Sequence, residues 1–135
     1  LYRRHEHIAN CRRDWFFKLA HELCSAYSVI AIEDLNLKGM AKLWGRKVND
    51  YAFAEFVRIL EWVSSKHDTV IVKADRFYPS SQTCSRCGAL NHDMKDLRKR
   101  TFRCGLCSLE IDRDLNAAVN LKNEGLRKLK DLSAV

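Results

Sequence analysis

Proline is almost missing from this chain. Pro79 is the only one in 135 residues, and glycine occurs five times. Nothing reads as a low-complexity segment or an internal repeat. Long apolar stretches are missing too. No run exceeds four apolar residues, as in Val29–Ile32, whereas a membrane-spanning helix needs about 20. No charged start followed by an apolar stretch marks a secretory signal. Without one, the six cysteines are expected to be reduced thiols in the cytoplasm, or the nucleoid if bacterial, rather than a disulfide framework. Acidic residues are the scarcer charge: 17 Asp+Glu face 24 Lys+Arg, a net charge of +7. That balance favours a polyanionic partner, nucleic acid first among them. What is present, 47% hydrophobic and 30% charged residues, suits one globular domain.

Ile8, Trp15, Phe16, Leu19 and Leu23 recur at helical spacing and predict a helix over 3–26, with Cys11 and Cys24 as small hydrophobes near its buried face. Ser28–Leu35 is short, β-branched and apolar on both faces, like a strand of a parallel sheet. Asn36–Met40 reads as a loop broken at Gly39. A second helix is expected over 51–66, capped by Asn49 or Asp50, with Phe53, Phe56, Val57, Leu60 and Val63 as its stripe. Thr69–Ala74 is a second strand, and Pro79 turns the chain toward the first cysteine pair. A last helix begins at Asp112 or Asp114 and is expected to end at Gly125.

The order α-β-α-β-knuckle-α predicts an α/β fold with a parallel sheet. Two strands are too few for a stable sheet with both faces covered, so further strands are expected on the N-terminal side. Residues 1–78 and 111–125 are expected to form one domain, 79–110 an insertion, and 126–135 a basic tail.

Cys84-x2-Cys87 and Cys104-x2-Cys107, sixteen residues apart, carry the strongest chemistry. Two residues between paired cysteines let a tight turn aim both sulfurs at one ion, and four thiolates leave no open catalytic position. Structural Zn(II) is expected, with rubredoxin-like iron as the alternative and His92 as a competing ligand. Residues 84–110 hold six basic and three acidic residues. Lys95, Arg98, Lys99, Arg100 and Arg103 are candidates for phosphate contact.

Glu33 follows four apolar residues at the carboxyl end of its strand, where open α/β sheets place their sites. Asp114, Asn116 and Asn120 form a polar set on an otherwise Ala-rich helix. Glu33 and Asp114 could share Mg(II) or Mn(II) in phosphodiester cleavage. Asp75 is a spare third acid.

The motifs IEDLNLKGM, FYPSSQTCSRCG, the second C-x2-C and DRDLNAAVNL stand in the order seen in TnpB/OrfB proteins of insertion sequences, relatives of type V CRISPR effectors. The sequence resembles the C-terminal part of these proteins over nearly its whole length. The resemblance implies a partial RNase H-like (RuvC) nuclease fold interrupted by a zinc ribbon, and RNA-guided DNA endonuclease activity with DNA and guide RNA as partners. It implies Glu33 and Asp114 as catalytic carboxylates and Cys84, Cys87, Cys104 and Cys107 as zinc ligands. The family's first catalytic aspartate, in a D-x-G strand, has no counterpart here. The expectation is therefore a fragment, inactive alone unless another chain or segment supplies the missing strands. The alternative is a non-catalytic, nucleic-acid-binding zinc-ribbon module.

Overall fold

A computed structural model describes residues 2–36, 39–40, 42 and 52–133. Among these the order is α1 (Tyr2–Ala26), β1 (Val29–Ile32), α2 (Phe53–Ser64), β2 (Val70–Lys73), a 3-10 turn (His92–Lys95), β3 (Thr101–Arg103), β4 (Glu110–Asp112) and α3 (Arg113–Ser133). The chain divides into two compact units, Leu1–Ile30 with Leu35–Ile71, and Ala31–Asp34 with Val72–Val135.

In the first unit α1 packs on α2. Phe16 meets Phe56 with ring centroids 5.2 Å apart, and Phe17 meets Trp62 edge-on at 5.9 Å. Phe16, Ala20 and Cys24, four residues apart, are the buried line of α1, while Ile8 and Trp15 are exposed. The apolar stripe expected from sequence is thus rotated. The Trp15 ring faces out, while Phe16 and the small side chains of Ala20 and Cys24 are turned inward. Cys11 is exposed rather than buried, with its sulfur 3.6 Å from the Nε2 of His7. Thr69 Oγ1 donates to Cys24 O at 3.0 Å, and Arg13 Nε donates to Glu55 Oε1 at 3.0 Å. His21 Nδ1 and His67 Nε2 lie 2.9 Å apart.

Helix α2 starts later than expected, after Ala52 in a left-handed conformation (φ 51°). The proposed caps Asn49 and Asp50 lie outside the described residues, as do Tyr51, Leu37 and Lys38. Gly39 and Met40 are helical rather than a break: Asn36 Oδ1 accepts from Gly39 N–H at 3.1 Å, and Asn36 O accepts from Met40 N–H at 2.9 Å.

Both strands are shorter than their apolar runs. They pair with each other. Val70 N–H donates to Ser28 O, and four residues on Ala74 N–H donates to Ile32 O, each at 2.9 Å. Both partners advance in the same sense, so the pairing is parallel.

In the second unit α3 lies on the strands. Gly125 does not end this helix. A Cβ placed there would come 2.8 Å from the Cβ of Ala31 and 3.7 Å from that of Val72. The glycine is a point of contact at backbone distance, and the helix runs on to Ser133. Residues 126–133 are therefore the last turns of this helix rather than a separate tail. Arg127 pairs with Glu124 at 2.7 Å and Asp131 at 2.8 Å, and Lys128 with Asp75 at 2.6 Å. The Arg127 side chain holds the Glu124 carboxyl below its ordinary range.

Candidate functional site

The cysteine segment builds two knuckles with the same bonding. Cys84 N–H donates to Ala89 O at 2.8 Å, and Gly88 N–H to Cys84 O at 2.9 Å. Twenty residues on, Cys104 N–H donates to Leu109 O at 2.9 Å, and Ser108 N–H to Cys104 O at 3.2 Å. Positive φ falls at the same place in each, 76° at Gly88 and 56° at Ser108. This short structural repeat is not visible in the sequence, because glycine follows the first pair but lies inside the second at Gly105. A left-handed serine costs about 1 kcal/mol or more relative to glycine. Ser108→Gly is therefore expected to stabilise the second knuckle by about 1 kcal/mol, read as a rise in the urea midpoint at unchanged slope.

Cys84 and Cys107 sulfurs lie 3.6 Å apart, as do those of Cys87 and Cys104, and all four fall within 4.8 Å of one another. Tetrahedral thiolates about 2.3 Å from Zn(II) would stand about 3.8 Å apart, so the donor set fits a divalent ion of that size. Among the described residues it is the only group of three or more potential metal ligands. His92 is not in it. Backbone N–H groups of Cys107 and Leu106 pull the Cys104 thiol down to about 6. The Ala89 N–H acts downward on Cys87, but burial and the neighbouring thiols push it up to about 12. Cys107 is also raised, since burial and the Cys104 and Cys84 thiols outweigh the Leu109 N–H. Beside the sulfurs, Met94 and Phe102 are buried, flanked by Ala89, Leu109 and Ile111. The hairpin β3–β4 pairs Thr101 with Asp112, Phe102 with Ile111 and Arg103 with Glu110.

The last hairpin residue is also the cap of α3. Asp112 Oδ1 accepts from Asp114 N–H at 2.8 Å and Leu115 N–H at 3.0 Å. Asp112 is therefore the capping residue of the two considered, and Asp114 is left with its carboxylate in solvent, 3.7 Å from Arg100 Nη1. Eleven residues make three helical turns, so Asp114 shares the face of α3 that carries Gly125.

Glu33 follows β1 directly, on the same strand face as Ala31. Its Oε1 accepts from the hydroxyl of buried Ser80 at 2.7 Å. Ser80 O in turn accepts from Asn120 Nδ2 at 2.7 Å. Asn116 and Asn120, read from sequence as part of the polar site, are buried clamps. Asn116 Oδ1 accepts from Ser85 N–H at 3.0 Å, and the Nδ2 groups of both residues reach Thr83 O at 2.7 Å. They tie the start of the first knuckle to α3. Ser80 is the residue the sequence reading missed; its only signal was a small hydroxyl after Pro79. Glu33, Asp114 and Asp75 form no three-acid group among the described residues, and Asp75 is occupied by Lys128.

Four of the five basic candidates face carboxylates: Arg98 on Asp96 at 3.0 Å, Lys99 on Asp93 at 3.7 Å, Arg100 on Asp114, and Arg103 on Glu110 at 3.0 Å. Lys95 is exposed on the 3-10 turn. Lys99, Arg100 and Arg103 line one groove together with Asn91 and Met94.

A parallel strand pair with a carboxylate past its carboxyl end, a helix laid on the strands and a four-cysteine ribbon make up a partial RNase H-like (RuvC) α/β fold. The chain belongs to the family described as Cas12f1-like, TNB domain, whose model matches residues 53–121, just over half of its length. It is 30% identical over 132 residues to a TnpB-like protein, L79, of Acanthamoeba polyphaga mimivirus, covering 91% of this chain and 24% of that protein. It is 32% identical over 124 residues to a Streptomyces pristinaespiralis protein named as a candidate RNA-guided DNA endonuclease, covering 90% and 30%. A cryo-EM structure of a Cas12f1–sgRNA–target DNA complex shares the fold, with a TM-score of 0.68 at 23% identity over 87% of this chain and 35% of that one. The chain thus spans about a quarter to a third of the length of these relatives. Among the described residues no helix is long and apolar enough to cross a membrane.

Proposed function

We propose that this chain is the C-terminal part of the nuclease region of an RNA-guided DNA endonuclease of the TnpB type. Glu33 and Asp114 would supply two of its metal-binding carboxylates, and the ribbon would carry Zn(II) and contact nucleic acid. The observation that carries the reading is Glu33, held at the end of a parallel strand by a buried serine that the helix of Asp114 itself secures. The relatives' names and the nucleic-acid complex formed by the structural neighbour support it. Glu33 and Asp114 would be the residues that hold a divalent ion, which would supply Lewis-acid activation of water and of the leaving oxygen. Among the described residues no group of three acids includes Glu33 or Asp114, so that ligand set is not complete in them. Ser80 orients Glu33, and the exposed Arg100 lies 3.7 Å from Asp114, which would stay accessible to a bound cation.

The expected result is therefore split. With Mg(II) or Mn(II) the 135-residue chain should not cleave DNA, yet it should bind Mn(II) weakly, with binding reduced by Glu33→Gln and by Asp114→Asn in an electron paramagnetic resonance titration. Mn(II) uptake indifferent to both variants would favour a non-catalytic zinc-ribbon module. Metal-dependent cleavage abolished by Glu33→Gln would overturn the expected inactivity.

A further inference from the structure

Phe77 is 92% exposed, yet the turn that carries it is fastened on both sides. On its N-terminal side Asp75 takes the ammonium of Lys128 at 2.6 Å, and Arg76 Nη2 meets Asp34 Oδ2 at 2.8 Å. On its C-terminal side Tyr78 N–H donates to Asp75 O at 2.9 Å, and the Tyr78 hydroxyl to Asn120 O at 3.5 Å. Pro79 fixes the next φ, and buried Ser80 bonds Glu33. The two anchors flanking Phe77 thus end on Asp34 and Glu33, adjacent residues just beyond β1. Water is a poor environment for a phenyl ring, and burying one is favourable. A ring displayed on a fastened turn beside a carboxylate is organised for a partner that brings its own flat apolar face.

We propose that Phe77 is a stacking platform for one unpaired base of a nucleic-acid strand passing Glu33. This rests on the nuclease reading above. The occupant follows from the Glu33 site that this turn is tied to, which on that reading acts on a nucleic-acid strand, and the chain's net charge of +7 suits such a polyanion. An aromatic ring stacks on every base, so the contact is tolerant of sequence. That suits a protein whose specificity comes from a guide. A base inside a duplex has both faces covered by its neighbours, so the platform selects single strands. Phe77 would act as a positioning residue: it transfers no proton and holds no metal, but sets which phosphodiester lies at Glu33.

The test titrates the 135-residue chain with a 12-nucleotide single strand carrying 2-aminopurine, and with the matching duplex, at one salt concentration. Phe77→Ala should weaken single-strand binding about 5- to 150-fold, the range for loss of one base–aromatic stack. It should abolish the 2-aminopurine quenching, leave duplex binding unchanged and keep the salt dependence, because no phosphate contact is lost. Phe77→Trp should restore affinity and quenching. Equal single-strand affinity for the unaltered chain and Phe77→Ala overturns the platform while leaving the nuclease reading intact. Equal losses on single strand and duplex overturn stacking in favour of a general contact. No binding of any nucleic acid by the unaltered chain overturns both.

Discussion

Purified under reducing conditions, the chain is expected to carry one zinc, and stripping it should unfold the ribbon from Thr83 to Asp112. Apart from the asparagine clamps at Thr83 and Ser85, the segment has little else to hold it. Beside the sulfurs its buried core is Met94 and Phe102, and its hairpin is three residues a side. Structural zinc in peptides of this size carries about 10–16 kcal/mol of apparent binding free energy, which outweighs such a core. Cys84→Ser should likewise lose the metal and the amide protection of Phe102 and Cys104. Ligands must be thiolates. Near pH 7 Cys104, pulled down to about 6, is largely ionised, whereas Cys87, pushed up to about 12, and the raised Cys107 hold protons. Zinc uptake then releases those protons, so binding should tighten as pH rises and weaken as it falls. Elemental analysis showing iron or no metal, or a protected hairpin in Cys84→Ser, would contradict this account.

The second large effect belongs to the asparagine clamps. Thr83 O accepts from both Asn116 and Asn120. Asn120→Ala leaves Ser80 O without that donor, and Asn116→Ala leaves Ser85 N–H without its acceptor, but each single variant keeps one donor on Thr83 O. A buried polar group without a partner costs about 1–3 kcal/mol. Each single substitution should therefore cost about 1–3 kcal/mol of stability. The double variant should cost more than their sum, because only then is Thr83 O abandoned. Urea unfolding of the four proteins measures this directly. Additivity within about 0.5 kcal/mol would mean the shared carbonyl is not energetically shared. Asn120→Ala should also loosen Ser80 and, through it, Glu33.

The element order and the metal ligands were legible because period and spacing are local. The cysteine pairs needed only their own turns. Contacts across the fold were not legible: Ser80 meets Glu33 over a separation of 47 residues, and no periodicity encodes that. The stripe of α1 went to the bulkiest residues, whereas Ala20 and Cys24 are turned inward beside Phe16. Gly125 read as a helix end because glycine often stands there. Here the demand is steric, and the strand that imposes it is some ninety residues away in sequence. Asn116 and Asn120 were recognised as unusual, but their donors and acceptors serve backbone groups rather than a ligand. Ser108 gave no warning, because its left-handed turn is set by the knuckle bonding rather than by the residue.

Gly125 has one more implication. Most helix–sheet contacts meet through side chains, which can change rotamer and so absorb small displacements. At Gly125 the helix rests on Ala31 with no side chain of its own between them, so the separation is a mechanical stop rather than a cushion. Glu33 lies two residues further on, just past the end of that strand, and Asp114 three turns along the same helix. Their gauge is referenced to a contact that can neither compress nor slide without tilting the whole helix.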